Sequence, residues 1–326
     1  MNTEIELKFL VTPAFIGRLP SLLADHEIRV HDQTSLANTY FDTATLSLSK
    51  LKAGLRIRRQ NDHLEQTLKL AGSQVGGLHQ RPEYNVNITE SPPDLSLFPA
   101  HIWPSDFPLA QVQADLQPLF STDFVRQRWI IQLDHTELEL ALDVGEVRAG
   151  EASSAPLSEP IQELELELSS GEVGGLFSLA EQLLKYGGMR LSAVSKAQRG
   201  YRLAGLAPAP RRQSLDINAY GELSQLERLG QGLAHWQHHE QGVLDNQTDK
   251  AAWLEELRLG LGWVEQSLSA LNAAVEDLTL TGWLNELAWL RIQLQAAPVA
   301  NDLFYSARYG RLVLQLTRYL YIHRRH

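Results

Sequence analysis

The hexapeptide Glu4-Ile5-Glu6-Leu7-Lys8-Phe9 alternates charged and apolar residues. In an extended chain successive side chains point to opposite faces, so Glu4, Glu6 and Lys8 share one face and Ile5, Leu7 and Phe9 the other. A single stretch of this kind is an ordinary half-buried strand with a solvated polar face. Repetition changes that. Gly54-Leu55-Arg56-Ile57-Arg58, Thr67-Leu68-Lys69-Leu70, Val125-Arg126-Gln127-Arg128-Trp129 and Glu163-Leu164-Glu165-Leu166-Glu167-Leu168 show the same alternation. Some of the charged faces are acidic and others basic, which suits a shared interior better than several unrelated solvated surfaces.

The chain between these stretches reads as antiparallel strands with covering helices. Thr12-Pro13 is a helix start, with Thr12 as N-cap and Pro13 at the first helical position, and the helix should run to about Ala24. Strands are predicted near Glu27–His31 and Ser35–Phe41, then a turn or short helix over Thr43–Leu51. Residues 53–60 and 63–70 form a hairpin turning at Asn61-Asp62. Ala71–Gly77 reads as a loop and Leu78–Ile88 as a returning strand. The proline-rich stretch from Ser91 to Leu119 is a covering excursion with a short helix near Leu109–Leu116. A second hairpin pairs 122–133 with 136–144, and Gly145–Gly150 continues into another short strand. Ala152–Pro160 is a loop, 161–168 the acidic strand, and Glu172–Tyr186 a helix stopped by Gly187-Gly188. A short segment, Leu191–Tyr201, completes this part. If the strands close, their charged faces point inward and the barrel becomes a polar tunnel.

Ala207-Pro208-Ala209-Pro210-Arg211-Arg212 has the composition of a linker. Helices are predicted beyond it near 219–243, 249–275, 280–297 and 302–324, with apolar residues at three- and four-residue spacing, such as Trp253, Leu254, Leu257, Leu261 and Val264. The expected organisation is residues 1–203 for the strand-rich domain, 204–213 for the linker and 214–326 for a helical bundle. The chemistry-bearing residues all precede the linker, so residues 1–205 are expected to fold and act alone.

In this order the charged stretches resemble the CYTH family, also called triphosphate tunnel metalloenzymes. The family's E-x-E-x-K is matched by Glu4, Glu6 and Lys8. The likeness continues through Tyr40-Phe41-Asp42, Leu55-Arg56-Ile57-Arg58, Lys69, the Gly76–Tyr84 run, Arg126, Asp143, Glu163–Glu167 and Ser195-Lys196-Ala197-Gln198-Arg199-Gly200-Tyr201. It covers residues 1 to about 203. The Gly76–Tyr84 run is most similar to bacterial inorganic triphosphatases that carry a helical CHAD-like domain behind the CYTH domain. The resemblance implies an α+β fold: an eight-stranded antiparallel β-barrel or tunnel with covering helices, followed by an all-α bundle. It also implies hydrolysis of inorganic triphosphate to pyrophosphate and phosphate. Hydrolysis of thiamine triphosphate or a nucleotide, and a non-catalytic polyphosphate-binding scaffold, are the competing readings.

The residue types fit that chemistry. Lys8, Arg56, Arg58, Lys69, Arg81, Arg126, Arg128 and Lys196 form the candidate substrate-binding set, since Arg forks match phosphate oxygens bidentately and Lys supplies mobile charge. Glu4, Glu6, Glu163, Glu165 and Glu167 are the candidate metal ligands, hard oxygen donors that select Mg²⁺ or Mn²⁺ over zinc. The family comparison puts two glutamates of the late strand on the metal. The register of the following Leu168-Ser169-Ser170-Gly171-Glu172 matches them to Glu165 and Glu167, and a slip of one pair gives Glu163 and Glu165. Lys8, Glu4 and Glu6 are the catalytic candidates, with Lys8 read as a base if neighbouring cations lower its pKa, or a second metal in that role.

A net charge of −10 argues against a broad electrostatic footprint for nucleic acid or an anionic membrane. The absence of cysteine removes disulfides and thiolate zinc sites, no apolar run approaches a membrane span, and a cytoplasmic location is expected. From residue 206 onward 11 Lys and Arg face 13 Asp and Glu, which argues against polyphosphate binding by the helical part. That part is short for its class, as a natural short form or a truncation. His235 and His239 are spaced i, i+4, but without an H-E-x-x-H pattern they read as bundle structure.

Overall fold

The computed structural model describes residues 2–150, 156–216, 221–245, 249–295 and 301–323. Strand β1 (Asn2–Val11) leads into helix α1 (Pro13–Leu22), where Thr12 Oγ1 accepts the Phe15 N–H at 3.3 Å. There follow β2 (Glu27–Asp42), the one-turn α2 (Ser47–Lys50), and the hairpin β3 (Gly54–Gln60) and β4 (His63–Lys69). The three-residue β5 (Ser73–Val75) precedes β6 (Leu78–Ile88), α3 (Leu109–Ala114), β7 (Gln117–Leu133), β8 (Thr136–Ala149) and β9 (Leu157–Ser170). Helix α4 (Val173–Leu184), β10 (Met189–Leu191) and α5 (Lys196–Leu203) end the strand-rich part. Beyond it stand α6 (Gln225–Asp245), α7 (Lys250–Val275), α8 (Leu278–Gln295) and α9 (Ala307–His323).

Eight strands close in the order β1-β9-β8-β7-β2-β3-β4-β6 and back to β1, all antiparallel, with β5 and β10 added at the rim. The alternation read from the sequence sets the inside and the outside. Leu7, Phe9, Leu140, Leu164 and Leu166 point outward into a core with α1 and α4, contacting Phe15, Leu19 and Leu176. On the opposite flank Leu55, Ile57 and Leu68 pack under the proline-rich excursion through Leu95, Phe98 and Val112. The partner residues of each alternation, mostly charged, therefore face one another across the interior.

Several expectations are corrected. The two strands predicted over Glu27–His31 and Ser35–Phe41 are one strand, β2, because the polar residues Asp32, Gln33 and Thr34 pair in register with Arg128, Gln127 and Arg126 of β7. A register shift between Ile28 and Val30 absorbs the irregularity. The 71–77 loop contains β5, which pairs with β6, and the segment 145–149 continues β8 rather than starting a new strand. Residues 152–155 of the predicted 152–160 loop lie outside the described residues, and from Leu157 it is already β9. The predicted start of the first bundle helix at 219 also lies outside them, and α6 begins at Gln225.

The bundle follows the predicted spacing. Helices α6 and α7 approach closely at Gly232 and Gly260, where a Cβ on Gly260 would come within 2.8 Å of the Gly232 carbonyl. Its core is not separate. One continuous cluster of buried residues runs from Leu7, Phe9 and Met189 of the barrel to Leu229, Trp236, Leu257 and Leu316 of the bundle. The linker composition at 207–212 marks a change of structural class but not a break in the core, so the expectation that residues 1–205 stand alone is not supported by the packing.

Candidate active site

The inward faces enclose a cavity of about 950 Å³. On one wall β1 and β9 lie side by side, with Glu6 opposite Glu167 and Lys8 opposite Glu165. The other strands contribute Arg56 and Arg58 (β3), Lys69 (β4), Arg81 (β6, beside β1) and Arg126 (β7), and α5 contributes Lys196; all six line the cavity with Glu4, Lys8, Glu165 and Glu167. Residues from several strands and a helix, spread over the first two hundred positions, thus meet because strand closure and two-residue periodicity leave them no other face.

The charges sort into two groups. In the first, Glu165 accepts from Lys8 Nζ at 2.5 Å, Lys196 Nζ at 2.9 Å and Arg126 at 2.9 Å. Arg126 also forks onto Asp143 at 2.7 and 2.8 Å, and Lys196 bridges to Asp143 and Glu163, both at 2.8 Å. Burial opposes ionising Glu165, but Lys196, Lys8 and Arg126 outweigh it and hold the carboxyl well below its ordinary range. In the second group, Glu4 is gripped by Lys69 at 2.6 Å and Arg81 at 2.8 Å, and Arg81 reaches Glu6 at 3.0 Å. Glu167 differs. Burial, then repulsion from Glu4, Glu139 and Glu6, pushes its carboxyl up to about 8, and among the described residues no cation closes an ion pair on it. Carboxylates crowded in this way match a divalent cation with hard oxygen ligands. On the basic side the buried Arg56 Nε has no hydrogen-bond partner, as a site for an anion requires.

Three expectations change. Arg128 does not line the cavity: it lies further along β7, opposite Asp32 of β2, and pairs with it at 2.5 Å with 39% of its side chain exposed. Glu163 is fully buried and does not line the cavity, with Lys196 on one oxygen at 2.8 Å and Arg199 on the other at 3.0 Å, whereas Glu165 and Glu167 do line it. Lys8 is opposed as a base: burial alone would lower its pKa, but Glu165, Glu163 and Glu6 together raise it, so it stands as an ammonium. Glu6 is 2% exposed and sits just behind the wall, reached through Arg81.

Sequence reasoning assigned no role to Glu83, Glu139, Tyr40, His79 or Arg199. Glu83 pairs with Lys69 at 2.8 Å, and its parity with Arg81 on one strand was the available signal. Glu139 shares its face of β8 with Asp143 by the same rule. Arg199 lies three residues after Lys196 on α5, one helical turn along the same face. Helix α5 is itself fixed by a capping box at Ser195 and by Tyr201 Oη, which donates to Asp42 at 3.0 Å. His79 is buried against the Ser192 carbonyl at 3.3 Å, and burial followed by Lys8 and Arg81 lowers it to about 4.

In the bundle, His235, His239 and Glu256 bring possible ligand atoms within 4.8 Å of one another. Both ring nitrogens of His239 are already engaged: Nδ1 donates to the His235 carbonyl at 2.8 Å and Nε2 accepts the Gln213 N–H at 3.1 Å. His238 donates to the Arg211 carbonyl at 2.8 Å. These histidines seat the linker on the bundle. Among the described residues no helix is long and apolar enough to cross a membrane.

The family model of the CYTH domain matches residues 2–201. A protein named inorganic triphosphatase from Haemophilus influenzae is 40% identical over 208 residues, 62% of this chain and 55% of that protein, so the chain spans about half the length of that relative. Among solved structures, a Hippeastrum protein named as an adenylyl cyclase, and said to reveal a dominant triphosphatase activity, matches at 19% identity. It covers 61% of this chain and 95% of its own, with a TM-score of 0.45. A protein of Pyrococcus horikoshii OT3 matches at 18% identity over 60% of this chain and 97% of its own, with a TM-score of 0.39.

Proposed function

The chain belongs to the CYTH domain family, and from that premise we propose that it hydrolyses inorganic triphosphate to pyrophosphate and phosphate with a divalent metal, Mg²⁺ or Mn²⁺. The observation that carries this reading is a single cavity lined both by the carboxylates Glu4, Glu165 and Glu167 and by the cations Lys8, Arg56, Arg58, Lys69, Arg81, Arg126 and Lys196. A named inorganic triphosphatase at 40% identity supports the same substrate. Glu4, Glu6, Glu165 and Glu167 would hold the metal, which when bound supplies charge neutralisation and Lewis acidity at the phosphates.

The chain's own groups do the rest. Arg56, Arg58, Arg81, Lys69 and Arg126 hold the linear anion along the cavity, each as a fixed charge requiring little reorganisation. Lys8 and Lys196, locked by Glu163, Glu165 and Asp143, keep their ammoniums at set positions on the wall. Water attacks the terminal phosphorus, the bond to the bridging oxygen breaks, and the cations take up the charge that gathers on the pyrophosphate leaving group. Binding along the full length of the anion orients the reacting end. The acid–base balance of the helical part does not favour it as a polyphosphate binder, and the cysteine-free composition is consistent with the cytoplasm.

An organic triphosphate is the competing substrate, since the cavity is larger than a bare triphosphate fills. Phosphate release from triphosphate, pyrophosphate, thiamine triphosphate, ATP and long-chain polyphosphate, with Mg²⁺, Mn²⁺ or chelator, decides between them. Triphosphate should be turned over best, only with metal, and with pyrophosphate accumulating. Faster turnover of ATP or thiamine triphosphate would reassign the substrate, and binding without turnover of any of them would leave a scaffold.

A further inference from the structure

Lys8 stands at a seam. Along one edge β1 is paired with β6 over Asn2–Leu7 and with β10 over Phe9–Val11, and Lys8 falls between the two. Its backbone is held there by two turns: its N–H donates to the Gly77 carbonyl at 3.1 Å, and its carbonyl accepts the Ser192 N–H at 2.9 Å. The Gly76-Gly77 turn and strand β10, which leads into Ser192, both rest on the helical bundle. Gly76, at φ +56°, is pressed so closely on α9 that a Cβ would come within 2.1 Å of Thr317 Oγ1. Gly188 N–H, just before β10, donates to the Tyr305 carbonyl at 2.7 Å. Arg190, in the middle of β10 and opposite Leu10, crosses into the bundle, where its guanidinium pairs with Glu240 of α6 at 2.8 Å and donates to Gln241 at 2.6 Å. Glu240 accepts from Tyr309 Oη of α9, which accepts in turn from Trp236 Nε1 at 2.8 Å. Arg190, Glu240, Tyr309 and Trp236 are all buried.

Resting on the function proposed above, we propose that Arg190 is a positioning residue for the hydrolysis, through which the helical bundle fixes Lys8 and Lys196 on the cavity wall. The chain leaves Arg190 through Leu191 to Ser192, which clasps Lys8, and three residues later reaches Ser195, the N-cap of α5. The first residue of that helix is Lys196. A buried arginine fork holds its plane through two acceptors on one helix, so it fixes the strand carrying it in direction as well as in place. Without that fork β10 keeps its short ladder to β1 but loses its registration against α6, and the two ammoniums share the displacement. Arg56, Arg58 and Arg81 lie on other strands and are not moved.

The test uses the full chain with Arg190→Met, Arg190→Lys and Glu240→Gln, each assayed well below its own unfolding midpoint. Two readouts are taken: kcat and KM for triphosphate, and amide hydrogen exchange at Lys8 and Ser192 in the protein without substrate. Arg190→Met is expected to lower kcat roughly ten- to a hundredfold, the scale of a small misplacement of reacting groups, with KM little changed. Exchange should rise at Lys8 and Ser192 but not in the β7–β8 ladder. Arg190→Lys, which keeps the charge and loses the fork, should recover part of both. Wild-type kcat in folded Arg190→Met, or protection at both amides as in wild type, overturns the proposal. If Arg190→Met does not fold, Glu240→Gln, which keeps volume and one hydrogen bond, carries the same expectations in milder form. Should the wild type itself fail to turn over triphosphate, the proposed function falls, while the exchange measurement still decides whether the bundle holds the clasp on Lys8.

Discussion

Replacing Glu167 by Gln should stabilise the protein in the absence of metal, and by more at pH 8 than at pH 5. Burial first, then Glu4, Glu139 and Glu6, raise the Glu167 carboxyl from its ordinary 4.5 to about 8. The folded chain therefore keeps a proton that the unfolded chain has released, so stability contributed by this group falls as pH rises from about 4.5 to about 8. A tenfold change in proton affinity corresponds to about 1.4 kcal/mol, and side-chain relaxation and water access reduce the total to about 1–3 kcal/mol at pH 8. Glutamine keeps the shape without the charge, so the variant should melt a few degrees higher at pH 8. Thermal unfolding of wild type and variant in chelator, from pH 5 to 8.5, measures the difference directly. Added Mg²⁺ should then raise the wild-type midpoint, more at pH 8 than at pH 5, and raise that of the variant far less. A variant less stable than wild type at pH 8 in chelator would mean that the carboxylate has a favourable partner. An equal response to Mg²⁺ would remove Glu167 from the metal-binding set.

Glu163→Gln should behave in the opposite way, losing about 3–5 kcal/mol because Lys8, Lys196 and Arg199 lose a buried partner, while its metal titration stays near that of wild type; a lost metal response at wild-type stability would make Glu163 the ligand. Arg56→Ala should reduce kcat/KM for triphosphate about 10- to 150-fold, from a charge-assisted contact worth about 1.5–3 kcal/mol, and weaken pyrophosphate inhibition much less. Equal losses for both anions, in steady-state kinetics, would show that the cavity does not measure chain length. A chain ended at Gly205 bares the bundle-facing side of Leu184 and Met189 and should aggregate or melt well below the full chain. A stable, monomeric and fully active 1–205 protein, by sedimentation and phosphate release, would restore the view of two independent domains.

Period-two alternation was the most legible property of the sequence, and it located Glu4, Lys8, Arg56, Arg58, Lys69, Arg126, Glu165 and Glu167 of the cavity lining, though not Tyr40, His79, Glu83 or Glu139. Parity places a side chain on a face, however, and not at a depth along the tunnel. Arg126 and Arg128 share a face, yet only Arg126 reaches the cavity, because Asp32 lies opposite Arg128 on β2. The same limit left Glu163 open as an alternative to Glu167, since depth depends on where β9 registers against β1, a pairing about 160 residues apart in the chain. Electrostatic character was less legible still. Crowding by cations was expected to lower Lys8, but the nearest groups are Glu165 and Glu163, and they raise it. The linker was legible by composition; the continuous core beneath it was not, because an apolar helix face carries no sign of which surface it will cover.

The position of β1 at the barrel's closure also governs how the molecule reaches its folded state. Hairpins β3–β4 and β7–β8 bring together neighbouring residues and can form early, whereas β1 must find β6, β9 and β10, the last two only after some 150 to 190 residues have followed it. During synthesis β1 emerges well before β9 and β10 and is therefore among the last strands of the barrel to be placed, with its apolar face uncovered in the meantime. The carboxylates of β1 and β9 are brought side by side only in that closing event, so their repulsion is felt late. A divalent ion that bridges them would chiefly slow reopening rather than speed folding, giving the loaded protein a longer native lifetime at nearly unchanged folding rate.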